Sequence, residues 1–291
     1  MVPRRRDTRE ITLLDHARIA LDWSSLGLSP VLFEFHGFAL RWYSLAYIGG
    51  ILGGWWLLGR MLDSWAAPMS RANADALITW ATVGIILGGR IGYVLFYDFA
   101  KFAADPLAIL RLWEGGMSFH GGAIGFTAAI FLFARANNLP GLRICDYVAC
   151  VAPLGQGLGR LANFINGELW GRVTGSDWGI IFPGAGTAPR YPSQLFEFAG
   201  EGVLLFVVLN LLFYRTRARL YPGFLVGVGT FGFGLVRFCI EFFREPDIQV
   251  GYLKFGLTMG QWLCLPMVFL GLYLIWSSRA RAIPAGAPIP A

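Results

Sequence analysis

The sequence is poor in charged residues. Only 14% of its 291 residues are Asp, Glu, Lys or Arg, whereas an average soluble domain contains about 25%. Hydrophobic residues make up 56%, and such a chain cannot hide its apolar surface in one aqueous core. The 38 glycines and 11 tryptophans are typical of packed membrane helices, because small residues let helices approach closely and Trp prefers the membrane interface. The composition therefore indicates a membrane protein.

Cysteine and histidine are also scarce, and no cofactor motif is present. The cysteines lie in apolar stretches without metal-ligand spacing, so we interpret them as small buried hydrophobic side chains. We predict neither a metal nor a cofactor. The net charge of +6 indicates anionic phospholipid, rather than nucleic acid, as the partner of so apolar a chain. The four cysteines are Cys145, Cys150, Cys239 and Cys264.

No cleavable signal peptide is predicted, because Met1–Pro30 lacks an uninterrupted apolar core followed by a small-residue cleavage site. The first span is therefore expected to direct insertion itself. Crossing about 30 Å of hydrocarbon takes about 20 helical residues, and seven apolar runs approach that length. We predict an all-α fold, a polytopic transmembrane helix bundle with seven spans. The runs are Trp42–Gly59, Leu77–Tyr97, Ser118–Ala134, Ile144–Leu161, Leu195–Phe213, Phe224–Phe243 and Leu257–Trp276.

The rest of the chain divides around this bundle. Residues 1–39 are expected to be an external or interfacial segment, residues 40–278 the seven-span catalytic membrane domain, and residues 279–291 a cytoplasmic tail rich in Pro and Ala that is disordered. The Gly- and Pro-rich segment 172–192 is expected to form an external loop or small cap.

Orientation is predicted from the basic loop 214–221, because arginines in short loops are retained in the cytoplasm. This loop contains Arg215, Arg217 and Arg219. Alternation across seven spans then places the N-terminus outside and the C-terminus in the cytoplasm. Arginines near the N-terminus favour the opposite orientation, but they lie more than about 30 residues before the first span, where the bias is weak.

Several charged residues interrupt the apolar runs. A charge at the centre of a membrane helix costs about 2.5 to 3.5 kcal/mol, so it needs a partner, a water-filled cavity or a function. Arg237, Glu241 and Arg244 are spaced to share one helix face, with Glu241 between two guanidiniums. That face is either an ion pair that fixes helix packing or part of a basic cavity.

A second basic position, Arg160, lies one turn before Asn163, and Gly167 and Gly171 continue that face if the helix persists. The glycines would leave backbone room for a ligand beside the arginine. Arg binds phosphate in a planar, bidentate way that Lys cannot copy. A phosphate site formed by two helices is therefore expected.

Two further polar residues admit more than one interpretation. His120 precedes two glycines at the outer mouth of the third span; a membrane histidine is usually a packing group, but an imidazole there can also accept a proton near neutral pH. Arg90 lies deep in the second span, so it either pairs with a carboxylate such as Glu168 or Glu241 or contacts a substrate.

The segment Gly159–Gly171, GRLANFINGELWG, resembles the signature of prolipoprotein diacylglyceryl transferases. The resemblance extends over nearly the whole chain from the first span onward. It includes Arg41–Tyr43, Gly88–Tyr93, Gly115–Gly122, Pro192–Leu195 and Arg237–Arg244.

The resemblance implies an enzyme of the bacterial cytoplasmic (inner) membrane that moves the diacylglyceryl group of phosphatidylglycerol onto the lipobox cysteine thiol of a prolipoprotein. Arg160 and Arg237 would hold the phosphate, and His120 would assist the thiol; these three are the implied catalytic residues. The other implied phosphatidylglycerol-binding residues are Asn163, Glu168, Gly171, Tyr43, Arg90, Glu241 and Arg244.

The chain departs from the family pattern at two positions. Tyr191 and Arg41 stand where relatives often carry His, so proton transfer by those imidazoles cannot apply here, and His120 is the main candidate. The alternative function is a transporter or flippase of anionic lipids, in which the same arginines bind a head group without bond breaking. Broken helices in two matching halves would favour that alternative, and no internal symmetry is visible.

Overall fold

A computed structural model describes residues 20–64, 66–175, 178–246 and 252–283. The N-terminal arginine cluster and the tail beyond residue 283 lie outside these ranges. The described part is mostly helical, and each of the seven apolar runs corresponds to a long helix. These helices are α1 Trp42–Leu62, α2 Arg71–Phe96, α4 Phe119–Ala136, α5 Gly141–Asn166, α6 Ser193–Arg215, α7 Phe224–Ile240 and α8 Met259–Ser278, with the short α3 Phe99–Ala104 after α2.

Four helices are long and apolar enough to cross a membrane within the described ranges: α1, α2, α6 and α8 with the turn that follows it. Helices α4 and α7 are apolar but shorter. Helix α5 has 26 residues but carries Arg143, Asp146 and Arg160. The predicted all-α class is confirmed as a mostly helical fold that also contains short strands, and the count of seven spans stays a prediction.

Helices that follow one another along the chain run antiparallel, and α5 contacts α1, α4, α6 and α7, of which α7 runs parallel to it. The starts of α1, α4, α6 and α8 therefore lie at one end of the bundle, together with the ends of α2, α5 and α7. We call this the site end, because the Arg160 and Arg237 positions lie there. The register is shown by Gly50 beside Gly155, Gly84 beside Gly125, Gly88 beside Gly121, Gly157 beside Gly202, Leu205 beside Gly232, and Gly234 beside Val268.

Glycines let α2 and α4 touch backbone to backbone. Gly84, Gly88 and Gly92 recur every four residues on α2 and face Gly121 and Gly125 on α4. A Cβ atom at Gly84 would lie 2.5 Å from the carbonyl oxygen of Gly125, and one at Gly92 would lie 2.8 Å from the Cα of Gly121. Small residues at such spacing are a common basis of helix association in membranes.

A small cap covers the site end of α5. Strand β1 (Leu21–Asp22) pairs in parallel with β4 (Ile180–Ile181), which lies in the segment between α5 and α6. Trp23 is buried, and its indole nitrogen donates to the carbonyl of Phe164 at 3.0 Å. Strands β2 (Val31–Phe35) and β3 (Phe38–Arg41) form an antiparallel hairpin that leads into α1. The segment before α1 and the segment between α5 and α6 therefore share one cap.

The opposite end of the bundle contains charges with structural partners. The buried Asp146 carboxylate accepts hydrogen bonds from the backbone N–H groups of Gly223 and Val226 at 2.7 and 2.8 Å. It thereby pairs with donors at the start of α7 that have no partner within the helix. The buried Arg143 donates to the carbonyl of Ala66. An open cavity of about 620 Å³ also lies at this end, lined by Arg60, Asp63, Ser64, Arg71 and Tyr214, and it is remote from the site end.

The glycine contact between α2 and α4 predicts a large effect of one methyl group. In Gly125→Ala the Cβ would meet the backbone of Gly84 and lie 2.9 Å from the Cα of Gly88. We expect the free energy of unfolding to fall by about 1–3 kcal/mol, the usual cost of overpacking. Thermal unfolding of the detergent-purified protein measures it.

Gly54→Ala is the matched control, because a Cβ there meets nothing within 4 Å. It should change stability by no more than about 1 kcal/mol, in the stabilising direction expected of Ala in a helix. Equal destabilisation by the two variants would contradict the close contact.

Candidate functional site

Six charged side chains converge at the site end. They come from α5, α6, α7 and the loop after α7, and we call them the arginine–glutamate cluster. Three are positive and three are negative, so the formal charge of the cluster is zero. Two of the carboxylates, Glu197 and Glu201, have no exposed side-chain surface, whereas the arginine side chains are 15–19% exposed. The members are Arg160, Glu197, Glu201, Arg237, Glu241 and Arg244.

Glu197 contacts all three arginines. Its Oε1 accepts hydrogen bonds from Arg237 Nη1 and, at 3.0 Å, from Arg244 Nη1. Its Oε2 lies 3.1 Å from Arg160 Nε. Because the carboxylate is buried, these pairs form in a medium of low dielectric constant, where charge-assisted contacts are strong. One carboxylate therefore ties α5, α7 and the following loop to α6.

Glu201 lies one turn farther along α6 and makes longer contacts. Its carboxylate oxygens are 3.8 Å from Arg160 Nε and 3.6 Å from Arg237 Nη1. Gln156 Nε2 donates to it at 2.8 Å. Glu201 belongs to the π-helical stretch Phe198–Leu204, and single turns of this kind often mark functional sites.

Glu241 forms the other side of the cluster. Arg237 Nη2 lies 3.1 Å from Glu241 Oε2, and Thr258 Oγ1 donates to Oε1 at 3.1 Å. The sequence placed Arg244 on the same helix face, but α7 ends at Ile240 and Arg244 lies beyond a turn. Arg244 pairs with Glu197, so the predicted shared face is correct for Arg237 and Glu241 only.

The signature segment connects to this cluster through Asn163. Arg160 and Asn163 lie one turn apart on α5 as expected, with Arg160 Nη1 3.5 Å from Asn163 Oδ1. Asn163 Nδ2 donates to Glu168 Oε1 at 2.9 Å. The helix does not persist to Gly171, because α5 ends at Asn166 and Gly167 adopts a left-handed conformation with φ 67°.

Gly171 is enclosed by backbone. Its N–H donates to the carbonyl of Tyr191 at 2.9 Å, and it forms an isolated β-bridge with Arg244. A Cβ atom here would lie 2.7 Å from that Tyr191 oxygen. The neighbouring Arg172 donates to the carbonyls of Arg244 at 2.6 Å and Glu241 at 3.1 Å. The signature thus holds the loop that carries Arg244.

Arg90 lies apart from the cluster. Its guanidinium is 3% exposed, stands 5.0 Å from the ring of Phe102, and donates five hydrogen bonds to backbone carbonyls. Neither Glu168 nor Glu241 is its hydrogen-bonding partner. The five acceptors, at 2.5 to 3.0 Å, are the carbonyls of Ala108, Ile109, Arg111, Gly115 and Gly116.

His120 and Tyr43 also lie at the site end. His120 is exposed in the first turn of α4, which begins after the N-cap Ser118. Tyr43 is half-buried in the first turn of α1, and its ring centroid is 5.1 Å from that of Tyr47. Within the part of the chain that the structure describes, no hydrogen bond or ion pair joins Tyr43 to the arginine–glutamate cluster. Among the described residues, no three His, Cys, Asp or Glu side chains are grouped to hold a metal ion.

Comparison with known proteins identifies the family. The sequence profile described as "Prolipoprotein diacylglyceryl transferase" matches residues 30–277. The chain belongs to this family. A Zymomonas mobilis protein named phosphatidylglycerol–prolipoprotein diacylglyceryl transferase is 50% identical over 93% of this chain and 98% of its own. Proteins of the same name from Rhodospirillum rubrum and Brucella canis are 52% and 48% identical over 90% and 88% of this chain, and 96% and 93% of their own.

Sequence reasoning missed four residues of the site in this family member. The same signal that singled out the arginines, a charge in an apolar run, was available for Glu197 and Glu201, which are four residues apart near the start of a predicted span. Gln156 and Arg172 carry no such signal, because one is an uncharged residue on α5 and the other lies in a loop.

The carbonyl cage predicts how Arg90 acts. Arg90→Lys keeps the charge, but an ammonium group has three donors and no planar fork, so it cannot serve five carbonyls. We expect faster hydrogen exchange in residues 99–117, while the rest of the bundle stays protected. Arg135→Lys, at an exposed arginine of α4, is the control. Unchanged exchange in residues 99–117 would show that Arg90 does not hold the segment.

Proposed function

We propose that this protein transfers the diacylglyceryl group of phosphatidylglycerol to the lipobox cysteine thiol of prolipoproteins, forming a thioether and releasing glycerol phosphate. The observation that carries the proposal is the convergence of three arginines, one of them in the family signature, at one end of an apolar helix bundle. The relatives at about 50% identity are named phosphatidylglycerol–prolipoprotein diacylglyceryl transferases.

The reaction breaks the bond between a glyceryl carbon and a phosphate oxygen and forms a bond from sulfur to that carbon. The electron pair of the broken bond leaves with the phosphate, and the thiol proton must be removed. A cysteine thiol with a pKa near 8.5 is only a few per cent ionised at neutral pH. Arg160 and Arg237 stabilise the charge that develops on phosphate, and His120 accepts or relays the proton.

The other site residues support these roles. Asn163 and Glu168 orient Arg160, and Gly171 lets the loop with Arg244 pack against the signature. Tyr43 lines the donor cavity, and Glu241 orients Arg237. Arg90 acts on donor binding through the segment of residues 99–117 that its five hydrogen bonds hold.

In the membrane, we place the site end and the N-terminus outside the cytoplasm, with seven spans across the bacterial inner membrane. The basic loop between α6 and α7 and the end of α8 lie at the opposite end of the bundle, and that end then faces the cytoplasm. Exported precursors would meet the site from outside, and phosphatidylglycerol would reach it from the bilayer.

The direct test uses the purified protein, phosphatidylglycerol vesicles and a synthetic lipobox peptide. A mass increase of one diacylglyceryl group on the peptide is expected, and a peptide with Ser in place of Cys should gain none. Movement of fluorescent phosphatidylglycerol between leaflets without any peptide product would contradict the transferase proposal and indicate a lipid transporter.

Single substitutions test the assigned roles. We expect His120→Asn, Arg160→Ala and Arg237→Ala each to abolish most thioether formation in the peptide assay. Removing one partner of a buried ion pair can cost about 3–5 kcal/mol, so folding is checked by size-exclusion chromatography and thermal unfolding. Arg135→Ala is the exposed control. Near-normal turnover by folded Arg237→Ala would remove that residue from the mechanism.

Arg237→Lys separates geometry from charge. Arg237 uses both terminal nitrogens, Nη1 toward Glu197 and Nη2 toward Glu241, which a single ammonium group cannot do. We expect kcat/KM to fall by about 100-fold or more, equivalent to the loss of roughly one charge-assisted hydrogen bond and one ion pair. Activity close to the wild type would mean that only the positive charge at this position matters.

A further inference from the structure

The two fully buried carboxylates, Glu197 and Glu201, take no part in the bond breaking, bond formation or proton transfer of the proposed reaction. Both side chains are 0% exposed, and each has a carboxylate oxygen within 4 Å of Arg160 and of Arg237. These are the arginines assigned to the phosphate. A pair of anions at the centre of an anion-binding site requires an explanation, because it weakens the attraction for the substrate.

The carboxylates lie against several of the donors that a phosphate would use. Glu197 takes Nη1 of Arg237 and of Arg244, and it also pairs with Nε of Arg160. Nη2 of Arg237 forms an ion pair with Glu241 Oε2 at 3.1 Å. A phosphate oxygen that binds these four nitrogens must therefore share them with carboxylate oxygens or displace those oxygens.

The charge of the phosphate group changes during the proposed reaction. The diester in phosphatidylglycerol carries one negative charge, whereas the released phosphate monoester carries about −1.5 to −2 at pH 7. Three arginines without counter-ions would therefore hold the product more tightly than the donor, since attraction scales with charge. With three glutamates beside them the cluster has zero net charge, and this preference for the product is reduced.

We propose that Glu197, together with Glu201, is a positioning residue that competes with phosphate for the arginines and so promotes release of the phosphate product. The inference rests on the proposed transferase function. The carboxylates hold the guanidiniums in their converging arrangement, and they take the donors back as the product leaves. Product release limits turnover in many enzymes, so such competition would raise kcat.

The local structure of α6 suits this role. Glu197 ends an α-helical turn, and Glu201 lies in the π-helical stretch that follows. Two side chains four residues apart project more nearly in one direction in a π-helix than in an α-helix, because the π-helix has more residues per turn. Both carboxylates therefore reach the same two arginines, at distances up to 3.8 Å.

The test compares Glu197→Gln and Glu201→Gln with the wild type, using the full-length protein in nanodiscs. Glutamine keeps the shape and removes the charge. We expect the inhibition constant of glycerol phosphate to fall by about ten-fold, and kcat to fall as well. The cluster then has a net positive charge, which holds the dianionic product more tightly. The KM for phosphatidylglycerol should fall by a smaller factor.

Two further variants complete the comparison. Glu197→Asp keeps the charge and should leave the affinity for glycerol phosphate near the wild-type value, even if its shorter side chain lowers kcat. Glu34→Gln, at an exposed carboxylate on β2, should change neither constant.

A purely structural role makes the opposite prediction. If the carboxylates only hold the arginines in place, the Gln variants will bind glycerol phosphate equally well or more weakly, and the inference is then wrong. If Glu197→Gln does not fold, Glu201→Gln decides the question. The contacts of Glu201 with the arginines are longer, so its replacement should destabilise the protein less.

Binding and turnover also separate this inference from the proposed function. Direct binding of radiolabelled glycerol phosphate needs no turnover. A wild-type protein that transfers no diacylglyceryl group would refute the proposed function, whereas unchanged binding in the Gln variants would refute only the competition.

Discussion

The buried carboxylate of Glu197 is the contact on which the site depends. A charge inside an apolar helix bundle is tolerated only when opposite charges or polar groups surround it. Glu197 meets this condition by contacting guanidiniums from α5, from α7 and from the loop after α7. None of these elements can move independently without leaving a buried charge unpaired. The arrangement of the three arginines therefore depends on one carboxylate, which lies on a fourth element, α6.

Close helix packing makes these ion pairs possible. Gly157 on α5 faces Gly202 on α6, where a Cβ atom at Gly202 would lie 2.7 Å from the Cα of Gly157. Gly157 is three residues before Arg160, and Gly202 is five residues after Glu197. Because the helices are antiparallel, this contact brings the arginine and the carboxylate to the same level, 3.1 Å apart. These two glycines therefore bring Arg160 and Glu197 within contact distance, in addition to stabilising the packing of the helices.

The sequence predicted the positions of the helices well and singled out the arginines of the cluster. It did not predict most of the carboxylates that pair with them. Apolar runs are a local property, so each of the seven corresponds to a helix, although α2 begins at Arg71, after its N-cap Ser70, instead of at Leu77. The spacing of Arg160 and Asn163 is also local and was correct. Which charges meet across helices depends on tertiary register, so the contacts of Glu197 were missed. The carbonyl cage of Arg90 could not be predicted, because every residue has a carbonyl group.

The contrast between Arg90 and the cluster arginines shows what distinguishes a structural from a ligand-binding guanidinium in this bundle. Arg90 is 3% exposed, and its donors end on carbonyls that are fixed by the backbone of one segment. Arg160, Arg237 and Arg244 keep 15–19% of their side chains exposed, and their partners are side-chain carboxylates instead of backbone carbonyls. A phosphate can reach the exposed parts of these guanidiniums and compete with the carboxylates for them, since both are oxyanions, whereas competition with five neutral carbonyls would release a whole segment. Reversible anion binding is therefore favoured where arginine is paired with glutamate, and disfavoured where it is enclosed by backbone.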